Sequence, residues 1–171
     1  REEGGKVSRH FHDRLAEGDT LELLPPAGHL TLDEGTSPVM LISAGVGQTP
    51  MVPLARQALA AGRRVVYLHA ARDGAVHAFA DELARLEADY PALLEVITVY
   101  SQPRAEDAPT HGGHVDANLL SRYLPRDAQC YLVGPAGFMR NMEAALSALG
   151  VAASRRHHEF FGPAEPLDSA A

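Results

Sequence analysis

The stretch SAGVGQTPMVP, residues 43–53, places Gly45, Val46, Gly47, Gln48, Thr49 and Pro50 between an apolar run (VMLI, 39–42) and an alanine-rich segment. A glycine has no Cβ, so its backbone reaches φ > 0 without strain and comes close to a bulky anion. Thr49 falls where a helix N-cap belongs, and Pro50 suits the first helical position. Such a helix start offers unpaired N–H groups and about half a positive charge, which is the chemistry of phosphate binding. The stretch departs from the G-x-G-x-x-G fingerprint, because Pro50 stands where the third glycine belongs. Taken alone, it also reads as a capped strand-to-helix turn.

Two further stretches are candidates for the same crevice. YLVGPAGFM (131–139) puts Gly134 and Pro135 at the end of another strand and opens a helix with Phe138 and Met139. HEFFGP (158–163) sets Glu159 beside Phe160, Phe161, Gly162 and Pro163, aromatics that can cover a planar ring at a sheet edge. The plainer readings are strand–helix punctuation for the first and a core phenylalanine pair for the second. Arg72 and Asp73 follow the second strand. A guanidinium there can pair with the 2′-phosphate of NADPH, whereas a carboxylate repels that phosphate and accepts from a 2′-hydroxyl. Both also read as solvated loop charges.

Other chemistries find less support. Nine histidines invite a metal or haem site, but His10 and His12 are two apart, and His157 and His158 point to opposite sides of a strand. With no cysteine or carboxylate cluster at zinc spacing, no metal site is expected. His111 and His114 lie in a polar loop and are expected at the surface. No G-x-S-x-G elbow supports a serine hydrolase. The net charge of −7 argues against nucleic acid as a main partner. No polybasic stretch, signal peptide or apolar run of ~18 residues points to a membrane. The single cysteine, Cys130, rules out an intrachain disulfide and fits a reducing, cytoplasmic setting.

The elements that must position these residues alternate. From residue 37, strands are expected at 39–43, 63–71, 93–101, 128–134 and 154–161. Helices are expected at about 50–61, 77–90, 116–123 and 137–150, with Phe79, Leu83 and Leu86 on one face of the second. Alternation of this kind predicts βαβ units and an open α/β fold, a five-stranded, mainly parallel sheet of order 3-2-1-4-5 with helices on both faces. In that order strands one and four are neighbours, so the two glycine turns flank one crevice, a seat for a dinucleotide. Residues 1–35 read differently: a short helix at 7–15 with Ser8 as N-cap, then a strand, a Pro-Pro-Ala-Gly turn and a strand over 17–32. That is β-barrel or sheet-edge material, expected as a fragment of an antiparallel β-barrel. Residues 36–163 are expected to form the nucleotide-binding domain and 164–171 a flexible tail. The chain begins at Arg1 and is expected to be a fragment.

GVGQTPM, YLVGPAGFM and HEFFGP, in this order and spacing, resemble the ferredoxin–NADP reductase superfamily and, more closely, the reductase module of flavohaemoglobins, the nitric oxide dioxygenases. HAARDGAVHAFADEL (69–83) is similar to that module's segment after its second strand, and residues 4–32 to the end of its FAD-binding barrel. The resemblance implies that NAD(P)H, NADH by preference, passes hydride to FAD, which relays electrons to a haem in a globin domain. It implies that Gly45 to Pro50, Gly134, Pro135, Phe138 and Met139 face the dinucleotide. Phe160, Phe161, Gly162 and Pro163 would contact the flavin, with Glu159 the catalytic carboxylate that tunes it. Gly5, Lys6, Val7 and Ser8 would hold the FAD pyrophosphate. The family's R-x-Y-S flavin motif and globin have no counterpart here, so the fragment alone is expected to be inactive. Val133 stands where the family commonly has cysteine, and Phe160 where a small residue or cysteine is usual. Two alternatives remain at this stage: a reductase feeding an iron–sulfur protein, and a non-catalytic NAD(P)-binding redox sensor.

Overall fold

A computed structural model describes residues 5–25 and 28–159. Its centre is β1 (Val39–Ala44), in which all six residues are buried, as expected of a strand covered on both faces. Around it the chain forms α1 (Lys6–Asp13), α2 (Gln48–Ala60), β2 (Val65–Ala71), α3 (Ala80–Asp89), β3 (Leu94–Tyr100), β4 (His111–Gly112), α4 (Ala117–Tyr123), β5 (Gln129–Val133), α5 (Ala136–Ala148) and β6 (Arg156–His158). The sheet order is β4-β3-β2-β1-β5-β6, and every pairing is parallel. The five expected strands therefore stand in the expected order. The sixth, β4, is a two-residue addition beyond β3, where His111 and Gly112 pair with Val99 and Tyr100.

Side chains alternate between the faces. Met40, Ile42, Val66, Leu68 and Leu132 meet Leu120, Met139, Met142 and Leu146 of α4 and α5. Leu41, Val65, Tyr67 and Tyr131 meet Leu54, Leu59, Leu83 and Leu86 of α2 and α3. Helices on both faces leave the carboxyl ends of the strands as the open rim where a ligand can enter.

The amino-terminal segment departs from expectation. The described residues of 17–32 form no strand, and Leu23 and Leu24 are 77% and 92% exposed. A strand needs a partner for its N–H and C=O groups, and none of the described residues pairs with this segment. Farther on, Leu30 and Leu32 pack on the α2/α3 core. Arg63, 4% exposed, then fastens the connector: it donates to Ser37 O at 2.7 Å, Asp33 O at 3.0 Å and Asp33 Oδ1 at 2.9 Å. Tyr131 Oη donates to the same Asp33 carboxylate at 3.0 Å. Burial raises the Asp33 pKa, but hydrogen bonds from Arg63, Gly35 and Tyr131 outweigh it and hold the carboxyl below its usual range.

Candidate functional site

At the rim lies a cleft of about 780 Å³. One wall is Ala44, Gly45, Val46, Gln48 and Thr49, between β1 and α2. Opposite it stand Arg72, Val76, Ala78 and Phe79, after β2, with Ser101 and the loop Gly113–Val115 beyond β3. Pro135, Phe138, Asn141 and Met142 of the β5–α5 turn close the third side. The two glycine-bearing turns, 84 or more residues apart in the chain, thus border one space.

The first turn is built differently from the sequence reading. Gly45–Gly47 form a 3₁₀ turn that runs directly into α2, so the helix starts at Gln48 with Gly47 as N-cap. Thr49 is therefore inside the helix, where its Oγ1 donates to Val46 O at 3.0 Å, and Pro50 is the third helical residue. Gly45 has φ +53° and open space where a Cβ would stand. Gly47 has φ −59° and is needed for another reason. A Cβ there would lie 2.5 Å from Val133 C and 3.0 Å from Gly134 N, and closer still to Val133 O. Gly47 thus lets the two turns touch. Gln48 is 2% exposed, and its Oε1 has no hydrogen-bond partner among the described residues.

The second turn repeats this device. A Cβ on Gly134 would meet Phe138 Cδ1 at 2.7 Å, so the glycine makes room for the ring that borders the cleft. Met139 does not face the cleft. It is fully buried with Met142 and Leu146, because positions three and four apart on α5 form the face that packs on the sheet.

The loop after β2 is held at both ends. Asp73, 6% exposed, accepts from Ala75 N at 3.0 Å and Arg72 Nε at 2.8 Å; Arg72 lowers its pKa, with Ala75 adding to the effect. Asp73 is thus a buried cap, while Arg72 is exposed and borders the cleft. Asp107 accepts from Gly74 N at 2.9 Å and from Arg104 N and Nη2 at 2.8 and 2.9 Å, and these bonds, Arg104's side chain first, hold its pKa at about 2. At the inner end His77 Nδ1 lies 2.9 Å from Tyr100 Oη, and its ring centroid is 4.4 Å from that of His69. His69 Nδ1 is 2.8 Å from Ser43 Oγ.

The remaining sites lie elsewhere. Glu159 sits against Gly28, where a Cβ would fall 2.6 Å from Oε1, and neither borders the cleft. Phe160, Phe161, Gly162 and Pro163 lie outside the described residues. Gly5, rather than Ser8, is the N-cap of α1, and Ser8 lies in its first turn with Oγ unpartnered among the described residues. His111 is half-buried rather than at the surface, because Nε2 bonds Tyr123 Oη at 2.6 Å, whereas His114 is exposed. His157 stacks on Tyr131 and His158 reaches Glu143, on opposite faces as the strand period requires. No helix among the described residues is long and apolar enough to cross a membrane. Sequence reasoning missed the walls at 76–79 and 113–115; the available signals were the small residues Ala70-Ala71 and Gly112-Gly113, which leave room at strand ends.

A doubly wound parallel sheet whose glycine turns border a cleft at the strand ends is the architecture of a dinucleotide-binding domain. The oxidoreductase NAD-binding domain family matches residues 41–144, and the chain belongs to it. It is 43% identical over 171 residues to a flavohemoprotein of Pseudomonas aeruginosa and 44% identical over 170 residues to one of Pseudomonas putida. These alignments take in 99% and 98% of this chain but 43% of each relative's length. Among solved structures, the flavohem-like FAD/NAD-binding domain of nitric oxide dioxygenase from Vibrio cholerae matches with TM-score 0.83 and 37% identity, over 93% of this chain and 65% of that one. The cytochrome b5 reductase domain of Ulva prolifera nitrate reductase shares the fold at TM-score 0.78 and 21% identity, over 91% of this chain and 64% of that one.

Proposed function

We propose that this module takes hydride from NADH, delivers it to FAD and supplies electrons to a haem in a globin domain that converts nitric oxide and oxygen to nitrate. The observation that carries the reading is the cleft in which the β1–α2 and β5–α5 turns meet. Its features fit a dinucleotide: a helix start beside an open, positive-φ glycine suits the pyrophosphate, and the unpartnered Gln48 Oε1 suits an amide or hydroxyl donor. When bound, the nicotinamide supplies hydride and the flavin accepts it; the protein's task is orientation.

Gly45, Val46, Gln48 and Thr49 would hold the pyrophosphate side, with Pro135 and Phe138 facing them. Gly47, Pro50, Gly134 and Met139 would act from behind, by setting the backbone or packing the core. NADH is favoured because Arg72, the cation on the cleft that a 2′-phosphate would need, already gives its Nε to the buried Asp73 carboxylate. Residues 1–35 would complete the flavin barrel, with Gly5, Lys6, Val7 and Ser8 at the FAD pyrophosphate. The unpartnered Ser8 Oγ and the α1 start, which lacks a side-chain cap, fit that group. Residues 36–163 are the nucleotide-binding domain, with Phe160 to Pro163 at the flavin and Glu159 adjusting its potential. Residues 164–171 lie outside the described residues, and the cytoplasm is the proposed location.

Calorimetric titration with NADH and NADPH tests the reading. NADH should bind more tightly; absence of binding by either, in this chain and in the full-length protein, would overturn it. Glu159→Gln in the full-length protein should shift the flavin potential or slow electron transfer, and unchanged values would remove Glu159 from the mechanism.

A further inference from the structure

We propose that His77 is a positioning residue for the adenosine half of the dinucleotide, acting through its contacts with Tyr100 and His69. This rests on the reading above that the cleft holds NAD(P)H. In a doubly wound sheet the pyrophosphate lies at the first βα turn, and the adenosine ribose lies over the end of the second strand. Here that second position is the loop following β2, and Val76, Ala78 and Phe79 are its residues on the cleft.

Those three wall residues flank His77, which turns the other way. It is 5% exposed and directed into the protein, with Nδ1 2.9 Å from Tyr100 Oη on β3 and its ring tilted 33° against His69 on β2. His69 is completely buried and in turn holds Ser43 Oγ at 2.8 Å, on β1 one residue before the Ala44–Gly45 wall. Ser43, His69, His77 and Tyr100 therefore run as one polar chain beneath the carboxyl ends of β1, β2 and β3. It links the pyrophosphate turn to the adenosine wall.

The bland alternative is that these are core residues that happen to be polar. Against it stands their cost. Desolvation of an imidazole is unfavourable, and both Nε2 atoms are buried without a partner among the described residues. An apolar pair would fill the same space without that penalty. What the imidazole supplies, and an apolar residue does not, is a directional bond to Tyr100 that fixes the loop at its inner end. The outer end is fixed separately, by Asp107 on Gly74 N. Between the two anchors the short 3₁₀ turn Gly74–Val76 has little freedom, and Val76 and Phe79 hold their places.

The test is titration of this chain with NADH and with ADP-ribose, which keeps the adenosine and pyrophosphate and lacks nicotinamide. His77→Phe retains the ring and loses the bond; Tyr100→Phe removes the other partner. Each should weaken both ligands about tenfold and by the same factor, the size expected for one buried hydrogen bond. The double variant should be no weaker than either single one, and His77→Asn, which restores a polar atom near Nδ1, should recover most of the affinity. Additive losses, or NADH and ADP-ribose affinities within twofold of wild type in a folded His77→Phe, would overturn the proposal. Where His77→Phe fails to fold by circular dichroism, Tyr100→Phe and His77→Asn decide by the same criteria. Absence of binding of either ligand by both the wild-type chain and the full-length protein brings down the dinucleotide reading itself; wild-type binding with unaffected variants brings down only the role of His77.

Discussion

Replacing Gly47 with alanine isolates the contact that joins the two turns. The new Cβ would lie 2.5 Å from Val133 C and 3.0 Å from Gly134 N, both backbone atoms that cannot rotate away. Ordinary carbon contacts sit at roughly 3.5–4.0 Å, so the start of α2 and the end of β5 must separate by about 1 Å. Overpacking of this kind costs about 2–3 kcal/mol, which for a chain of this size lowers Tm by roughly 5–10 °C. The same shift displaces Gln48 and Thr49 from Pro135 and Phe138 across the cleft, and NADH affinity should fall at least tenfold. Gly45→Ala is the control. There the added Cβ meets open space, and the cost is only that of a left-handed backbone, about 1–2 kcal/mol. Thermal unfolding and NADH titration on the two variants decide. If Gly47→Ala melts within 2 °C of wild type and binds NADH normally, the close approach of the two turns does not depend on the missing Cβ of Gly47.

Stability should fall in mild acid. Burial, with His77 adding to it, pushes the His69 imidazole down to about 3, against about 6.5 in the unfolded chain. Between those values the unfolded state binds more protons, so the stabilisation is complete above pH 6.5 and is lost as pH falls toward 3, amounting to about 2 kcal/mol by pH 5. His77 shifts the same way, whereas Asp33, Asp73 and Asp107 act only below about pH 4, so equal urea midpoints at pH 7 and 5 would refute the assignment. Arg63→Ala should cost about 2–3 kcal/mol in urea unfolding, since it strips three bonds from the 33–37 connector and leaves Asp33 with Tyr131 and Gly35; a loss under 0.5 kcal/mol would show the connector to be held otherwise. Cys130 is fully buried with its thiol pushed up to about 12 by burial, so it should resist a thiol reagent until the chain unfolds, and rapid labelling of native protein would contradict this.

The strands were legible because their apolar runs are short, dense and punctuated. VMLISA and QCYLV needed only their composition and the glycines after them to be placed at the centre of a parallel sheet. β4 was not legible: two residues, His and Gly, carry no period, and they pair only because the loop returns alongside Val99 and Tyr100. The strands expected in 17–32 failed for the opposite reason, since alternation predicts a face but cannot supply the neighbour that satisfies its backbone. At the cleft, glycine and proline marked the two turns correctly, yet which glycine serves φ and which serves proximity depends on Val133, 86 residues away. Thr49 and Ser8 have the composition of N-caps, but the 3₁₀ turn at 45–47 and Gly5 take those positions first. The polar chain from Ser43 to Tyr100 is scattered over three strands and the loop after β2, and only the register and the path of that loop align it.

The two outermost strands of the sheet, β4 and β6, are two and three residues long. A strand that short exposes few free N–H and C=O groups to template another chain, while β1 and β2 lie inside, paired on both sides, and β3, met by β4 only at Val99 and Tyr100, has Val96 N and Thr98 N taken by Glu87 Oε1 and Thr110 Oγ1. Among the described residues the sheet therefore offers little free backbone edge on which copies could stack into a fibril. A unit whose edges are guarded in this way can be joined to other domains without each junction becoming an aggregation hazard.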